Sequence, residues 1–442
     1  MHFLTWMFLC IASITIPSVQ GRSWEAGDTC PSEIAVTIPN YSMVGQRDST
    51  PQFQSMSDVH AALKTCANIT SLDLRVTLLG CSGWPDRWNF PFSLTRNETY
   101  PSLQRLKLEG YDFVQRPWDE TRLAKSPSLL RLAETVNWMT LGRAARYNED
   151  LRVTESQRQM TNLDLWLQAM DWSRIQELSI ECDRNFMNKT PSYLTGLKKL
   201  EIDGHDVQNT TRFIDSLVPD SLTHLSWTGP RDPRILSAVT AHQPKSLEYL
   251  DLHSFEVLGV PSLEFSEAQI RSGLAQLTNL SHLSINIPRN DSWPLETLSA
   301  ISSCPSLTTL ELWLDIASEC RHQKPEEHYF GRPSVNDTCT GVKQYRQPYL
   351  NETTATEAML YLRENKIGKQ LTNVTFWTGD WSRPWDGPLY FPPWIEHRKA
   401  KVVCSVNEAD RVTCVVEEGR DYWEGSRYGD DFWDRDEMHV YL

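Results

Sequence analysis

The residues of this sequence best suited to binding or catalytic chemistry are three histidines, a tyrosine and an aspartate within one part of the chain. They are His224, Tyr249, Asp251, His253 and His282. Imidazole and carboxylate groups can bind a metal ion or transfer protons, and tyrosine and histidine also serve as anchors at protein interfaces. Which chemistry applies depends on the elements that hold these side chains.

The sequence lacks the common catalytic motifs. It contains no Gly-x-Ser-x-Gly, His-Glu-x-x-His, Gly-x-x-x-x-Gly-Lys or Gly-x-Gly-x-x-Gly segment. No Cys-x-x-Cys pair occurs, and the histidines lack the compact spacing of metal ligands. We therefore expect a protein that acts by binding, without catalysis, metal or cofactor.

A repeated phrase contains these residues and indicates the elements that position them. The phrase is leucine, two variable residues, leucine, one variable residue and a further apolar residue. Its regular copies begin at Ile175, Leu197, Leu222, Leu247, Leu280 and Leu307. Earlier copies begin at Ile69 and Leu103, and a last copy begins at Leu371. Intervals of 22 to 33 residues within the regular array are typical of one strand plus one return segment in a stacked repeat.

The segments between the phrases carry a helical signal. Residues 212–219 and 234–242 place apolar side chains three or four positions apart. This spacing favours an irregular leucine-rich-repeat-like α/β solenoid, with parallel strands on the concave side and helices on the convex side, over a parallel β-helix. The predicted parts are a signal peptide (1–21), an N-terminal cap (22–68), the solenoid (69–378) with insertions near 110–173 and 315–350, and a C-terminal cap (379–442) with a disulfide hairpin and an acidic aromatic tail.

The ends and the sequons of the chain predict a secreted, extracellular glycoprotein. An apolar run followed by small residues is typical of a signal peptide cleaved after Gly21, with a membrane anchor as the competing interpretation. No later apolar run is long enough to predict a membrane span. Ten Asn-x-Ser/Thr sequons predict N-glycans at Asn40, Asn68, Asn97, Asn188, Asn209, Asn279, Asn290, Asn336, Asn351 and Asn373.

The cysteines predict disulfides, as expected in an oxidising compartment. The candidate bridges are Cys404–Cys414 across a polar hairpin turn, Cys320–Cys339 across an insertion, and Cys66–Cys81 beside the first repeat. Cys30 belongs to none of these three bridges and is expected to pair with a cysteine near the N-terminal cap. Cys182 and Cys304 lie beside repeat strands, where buried free cysteines are common.

Alternation of side chains along a strand predicts where a binding surface would lie. The first, fourth and sixth residues of each phrase should face the core, and the third, fifth and seventh should face away from it. The candidate binding residues on that outer face are Glu201, Asp203, His224, Tyr249, Asp251, His253, His282, Glu311 and Trp313. A solvated polar surface, a protein or peptide docking face, a metal site and a catalytic centre are all compatible with these residue types.

The phrases resemble the irregular repeats of the ribonuclease-inhibitor-like leucine-rich-repeat superfamily. Over residues 69–378 the layout is similar to that of exported fungal leucine-rich-repeat glycoproteins related to the repeat halves of F-box proteins. A signal peptide stands where an F-box would be, so the resemblance implies no ubiquitin-ligase role. The ninth phrase position departs from the Asn or Cys of the consensus, for example at Pro230 and Phe255.

Two functional hypotheses follow from the sequence. The first is a non-catalytic module that binds an extracellular protein or peptide through the concave strand face. The alternative is a carbohydrate-binding or carbohydrate-active exported protein, in a solenoid or β-helical form, because the chain contains 17 tryptophans whose rings could stack on sugars. A nucleic-acid partner is not expected, since a net charge of −14 repels phosphate backbones.

Overall fold

The structure of the protein is a computed structural model. It describes residues 24–38, 53, 55–76, 92, 94, 98–114, 160–204, 206–254, 265–316, 318, 346–378 and 400–418.

One sheet of twelve strands runs through these residues in chain order. The strands are β1 (Glu33–Ile38), β2 (Ser71–Val76), β3 (Arg105–Glu109), β4 (Glu177–Glu181), β5 (Lys199–Asp203), β6 (His224–Thr228), β7 (Tyr249–His253), β8 (His282–Asn286), β9 (Thr309–Leu314), β10 (Asn373–Thr378), β11 (Ala400–Val406) and β12 (Val412–Glu418). Neighbouring strands from β1 to β10 are parallel, whereas β11 and β12 form an antiparallel hairpin that continues the sheet.

Parallel pairing aligns the same phrase position on successive strands. Leu200 lies opposite Leu178 on one side and Leu225 on the other. The same register continues through Leu250 and Leu283. The sequence prediction of parallel strands at the phrases is therefore confirmed, and each phrase position forms a row across the sheet.

Helices precede the strands in the repeated part. They are α1 (Met56–Thr65), α2 (Asn162–Ala169), α3 (Arg184–Lys189), α4 (Val207–Ser216), α5 (Pro233–His242), α6 (Glu267–Leu274), α7 (Leu295–Ser302) and α8 (Glu352–Glu364). Aspartates fix several of the starts, because Asp183, Asp206 and Asp232 each accept a backbone N–H of the first turn that has no helical partner. The alternation of strands and helices makes the fold α/β, so the β-helical alternative was wrong.

The hydrophobic core lies between the helices and one face of the sheet. In β6 and its phrase, Leu222, Leu225 and Trp227 are buried, and Ile235 and Val239 of α5 belong to the same core cluster. This confirms that the first, fourth and sixth phrase positions face the core. Complete burial of one such side chain stabilises the fold by about 1.5–3 kcal/mol.

A buried arginine cluster joins the loops at the carboxyl ends of the strands. The guanidinium of Arg231, after β6, donates two hydrogen bonds to the carboxylate of Asp315, after β9, one of them 2.8 Å long. Arg289 donates to the backbone carbonyls of Asp315 and Pro348 at 2.8 and 2.6 Å. Opposite charge and hydrogen bonds compensate part of the cost of burying Arg231 and Asp315, and the cluster links the loops that follow β6, β8 and β9.

Two disulfides lie within the described residues. Cys404–Cys414 crosslinks β11 and β12 as predicted. The Cys66–Cys81 prediction was wrong, because Cys66 bonds to Cys30. The cause is β1, which pairs with β2 and brings Cys30 to the end of α1 with a Cα–Cα distance of 5.4 Å.

The remaining cysteine predictions have separate outcomes. Cys182 and Cys304 are free, as expected. Cys81, Cys320 and Cys339 lie outside the described residues. None of the described helices has the length and apolar character needed to cross a bilayer.

Stability should fall on mild acidification because His60 is buried. Its Nδ1 lies 2.7 Å from the Tyr100 hydroxyl, and burial, with a further contribution from Lys64, lowers the pKa of His60 from 6.5 to about 4. Between these values the unfolded chain binds a proton that the folded chain does not, so the free energy of unfolding decreases as pH falls. We expect His60 to account for a loss of about 2 kcal/mol between pH 7 and pH 4.5.

Urea unfolding of the wild type and the His60→Gln variant at both pH values measures this contribution. The variant should show a smaller pH dependence, since glutamine does not titrate. An equal loss in both proteins would contradict the assignment. Other groups with shifted pKa values, such as Asp251 and His224, are present in both proteins, so the difference between the wild type and the variant isolates the contribution of His60.

Candidate functional site

The side of the sheet opposite the core carries rows of polar and aromatic residues, and we call it the polar face. The third row is Glu177, Lys199, His224, Tyr249, His282, Thr309 and Asn373. The fifth row is Ser179, Glu201, Ser226, Asp251, Ser284, Glu311 and Thr375. The seventh row includes Glu181, Asp203, Thr228, His253, Asn286, Trp313 and Trp377.

Three rings of the third row stack on one another. The ring centroids of His224 and Tyr249 are 5.5 Å apart, and those of Tyr249 and His282 are 4.3 Å apart. The interplanar angles are 18° and 15°, so the rings are nearly parallel. Both faces of the Tyr249 ring are therefore covered, and the half-buried side chain contributes a ring edge to the surface.

A second stack lies in the seventh row. His253 stacks on Trp313 at a centroid distance of 4.4 Å, and Trp313 stacks on Trp377 at 5.1 Å. The Lys401 ammonium lies 4.7 Å from the centroid of Trp377 and ends the stack with a cation–π contact. The stack extends from β7 to β11.

The position of Asn286 makes the second stack possible. Asn286 lies beside Trp313 in the register, on the strand between β7 and β9. Its side-chain oxygen accepts the Ser254 N–H at 2.7 Å, and its side-chain nitrogen donates to the Ser254 carbonyl at 3.1 Å. Because the amide is engaged with the backbone after β7, the rings of His253 and Trp313 can meet across β8.

Serines and carboxylates alternate along the fifth row, and Asp251 is the buried member. Its carboxylate accepts the Ser226 hydroxyl at 2.8 Å and lies 2.9 Å from Nδ1 of His253. Burial raises the pKa of Asp251, but hydrogen bonds from His253, Ser284 and Ser226, together with the His253 charge, outweigh this effect and lower it overall. The arrangement favours a buried carboxylate anion.

Hydrogen bonds connect the rows. The indole N–H of Trp313 donates to the Ser284 hydroxyl oxygen at 2.9 Å. The indole N–H of Trp377 donates to Oε2 of Glu311 at 2.9 Å, and Oε1 of the same carboxylate is 3.4 Å from Nε2 of His282. The two ring stacks therefore share partners in the fifth row, which restricts their rotamers.

Burial and charge set the protonation of two rings. Burial raises the pKa of Tyr249, with smaller effects from the carboxylates of Asp251, Glu311 and Glu201, so the hydroxyl stays protonated. Burial, followed by the positive charge of Lys199, lowers the pKa of His224. At neutral pH these two side chains therefore present uncharged hydrogen-bonding groups.

The geometry does not assemble a nucleophile from these groups. The Ser226 hydroxyl donates to Asp251, and the His253 ring is 7% exposed and packed on Trp313. No cluster of three or more His, Cys, Asp or Glu side chains in the described part of the chain is placed to hold a metal ion. What the arrangement offers is a rigid array of ring edges, hydroxyls and carboxylates.

The candidate residues from the sequence are only partly brought together. The stacks and their hydrogen bonds join His224, Tyr249, His282, Asp251, His253, Glu311 and Trp313. Glu201 and Asp203 lie on β5, at the side of this cluster.

Four further residues of the site are not among the binding candidates from the sequence, namely Trp377, Lys401 and the two serines that bond to Asp251, Ser226 and Ser284. Trp377 is the seventh residue of the phrase that begins at Leu371, so its place on the outer face follows from the sequence. Three tryptophans that follow it in the sequence, Trp381, Trp385 and Trp394, lie outside the described residues. Lys401 comes from an antiparallel strand, whose register the phrase does not predict.

The described sequons differ in exposure. Asn209 is 5% exposed in the first turn of α4, where its amide donates to Asp206. Asn351 is half-buried as the N-cap of α8. The exposed sequon residues are Asn68, Asn188, Asn279, Asn290 and Asn373. Asn40, Asn97 and Asn336 lie outside the described residues.

Neither a protein-family model nor a curated protein sequence matches the chain.

Asp251 should contribute to stability, whereas Glu201 in the same row should not. Asp251→Asn weakens the hydrogen bond to the buried His253, so we expect a loss of about 1–3 kcal/mol in the free energy of unfolding. Glu201→Gln changes an exposed side chain and should alter it by less than about 0.5 kcal/mol. Urea unfolding at pH 7 measures both, and equal effects would show that the Asp251 cluster does not stabilise the face.

Proposed function

We propose that the protein is a secreted, N-glycosylated, leucine-rich-repeat-like solenoid with capped ends, and that it binds an extracellular protein or peptide through its polar face without catalysis. In this proposal the polar face is the concave surface and the helices form the convex one. The in-register strands at the leucine phrases support it, as do the helices between them.

The observation that carries the binding proposal is the order of the aromatic stacks. A side chain that is already held in one rotamer loses little conformational entropy on binding, and that loss is about 0.5–1.5 kcal/mol for a free side chain. His224, Tyr249 and His282 are held by mutual stacking, and Trp313 and Trp377 by stacking and indole hydrogen bonds. Such a rigid surface suits docking against another folded or extended chain.

The same stacks argue against the carbohydrate alternative at this face. A sugar stacks on an open ring face, but Trp313 is covered by His253 and Trp377, and Tyr249 by two imidazoles. Trp377 has Trp313 on one side, and Lys401 also lies over its ring. A sugar ring would have to disrupt these contacts before it could bind there.

Several observations support secretion and glycosylation. The two disulfides Cys30–Cys66 and Cys404–Cys414 are typical of proteins from oxidising compartments. Exposed sequons at Asn68, Asn188 and Asn279 leave room for glycans. A glycan on the exposed Asn373 would cover the β10 end of the third row of the polar face and leave the strands before it open to a partner.

Site-specific photo-crosslinking tests the proposed face. A photoreactive amino acid at Lys199, exposed on the polar face, should capture a polypeptide from the medium of the producing cells. The same group at Glu357, exposed on α8, is the matched control and should not capture it. Tyr249→Ala in the Lys199 protein should reduce the yield several-fold, because it removes the centre of the third-row stack.

Mass spectrometry identifies the captured polypeptide and the crosslinked residue. Circular dichroism of the Tyr249→Ala variant establishes that its fold is retained. Equal capture from both positions, or a yield that Tyr249→Ala leaves unchanged, would contradict binding at the polar face.

A further inference from the structure

The charges of the polar face divide into two parts. On β1 to β3, acids and bases pair: Arg105 bonds to Glu33, and Nε of Arg75 lies 3.2 Å from Glu109. On β4 to β9 the rows carry the acids Glu177, Glu181, Glu201, Asp203, Asp251 and Glu311. On β4 to β9, which the structure describes in full, the lysine or arginine in these rows is Lys199. Its ammonium nitrogen lies 2.9 Å from Oε1 of Glu177. The middle of the described face therefore carries excess negative charge.

Two of these carboxylates reach the surface on either side of the third-row stack. Glu201 is exposed, and its neighbours in the fifth row are Ser179 and Ser226, which carry no charge. The Glu311 side chain is 26% exposed. Its Oε2 accepts the indole N–H of Trp377, and its Oε1 lies 3.4 Å from Nε2 of His282. Each lies two strands from Tyr249, or about 10 Å along the sheet.

Tyr249 lies between the two carboxylates with its hydroxyl in a negative field. Burial and the charges of Asp251, Glu311 and Glu201 keep the hydroxyl protonated. Its oxygen can accept a hydrogen bond from a cationic N–H group. An ammonium or guanidinium group at this position would meet an acceptor from the stack and an attractive field from the carboxylates around it.

We propose that the partner presents a lysine- or arginine-bearing polypeptide segment to β5–β9, with cationic side chains contacting Glu201 and Glu311 on either side of Tyr249. This inference rests on the proposed function and specifies the partner's chemistry. Complementary charge steers association and excludes partners of the same sign. An extended segment advances about 3.3 Å per residue, so cations about six residues apart would span both carboxylates.

Fluorescence anisotropy with a labelled deca-arginine peptide tests the inference on the full-length protein. We expect binding to the wild type at low salt and an affinity about tenfold lower for the Glu201→Gln/Glu311→Gln variant, with weaker binding at higher salt. The single Glu201→Gln variant should lose about threefold. A labelled deca-glutamate peptide should not bind.

A control variant separates local contacts from net charge. Glu296→Gln/Glu357→Gln removes two exposed carboxylates from α7 and α8 and changes the net charge by the same amount. Its affinity should stay within about twofold of the wild type. Equal weakening by both double variants, or no binding of deca-arginine to the wild type, would overturn the inference.

The outcomes distinguish this inference from the proposed function. If Lys199 crosslinks a partner whose captured segment has no basic residues, the polar face is a binding surface but the inference is wrong. If deca-arginine binds with an affinity that depends on Glu201 while the face captures no polypeptide, the cation-binding site is supported and the proposed function fails.

Discussion

In-register pairing of parallel strands is the constraint on which the rest of this structure depends. Because each strand begins at the same phrase position as its neighbour, the leucines form rows on one face of the sheet and the alternate residues form rows on the other. A shift of one residue in any strand would turn its leucines to solvent. The burial that stabilises the core therefore also sets the positions of the polar-face residues.

The polar face illustrates how a buried charge can organise a surface. Asp251 is 8% exposed, and its carboxylate is stabilised by donors from the strands on both sides and from its own strand. That carboxylate orients the His253 ring, which stacks on the indole of Trp313. The indole N–H groups of Trp313 and Trp377 then bond to the next members of the fifth row. The network gives the aromatic rings fixed positions before any partner is bound.

Much of the repeated fold was predictable from sequence, since the leucine phrase reports both strand position and core direction. Strands β4 to β10 and the buried residues Leu225, Leu250 and Leu283 follow from it directly. Strand β1 was missed because Ile34, Val36 and Ile38 alternate without the phrase. The Cys30–Cys66 bridge was not chosen for the same reason, as it depends on β1 lying beside β2.

The contacts between side chains on the polar face were less predictable from the sequence than the positions of the strands. Rows follow from the phrase, so His224, Tyr249 and His282 could be placed side by side. The contact of His253 with Trp313 could not, because it depends on the Asn286 amide binding the Ser254 backbone. Lys401 required the register of an antiparallel strand, which carries no leucine phrase.

Hydroxyl-radical footprinting of the protein in its native complex, compared with the purified chain, tests the central claim that the polar face is the binding surface. Tyr249 and Trp377 on that face are only partly buried, and Tyr193, 47% exposed in the short helix before β5, is an aromatic reference of the same reactivity class. The account predicts that oxidation of Tyr249 and Trp377 decreases in the complex while that of Tyr193 is unchanged. Protection of Tyr193 with undiminished oxidation of Tyr249 and Trp377 would contradict it.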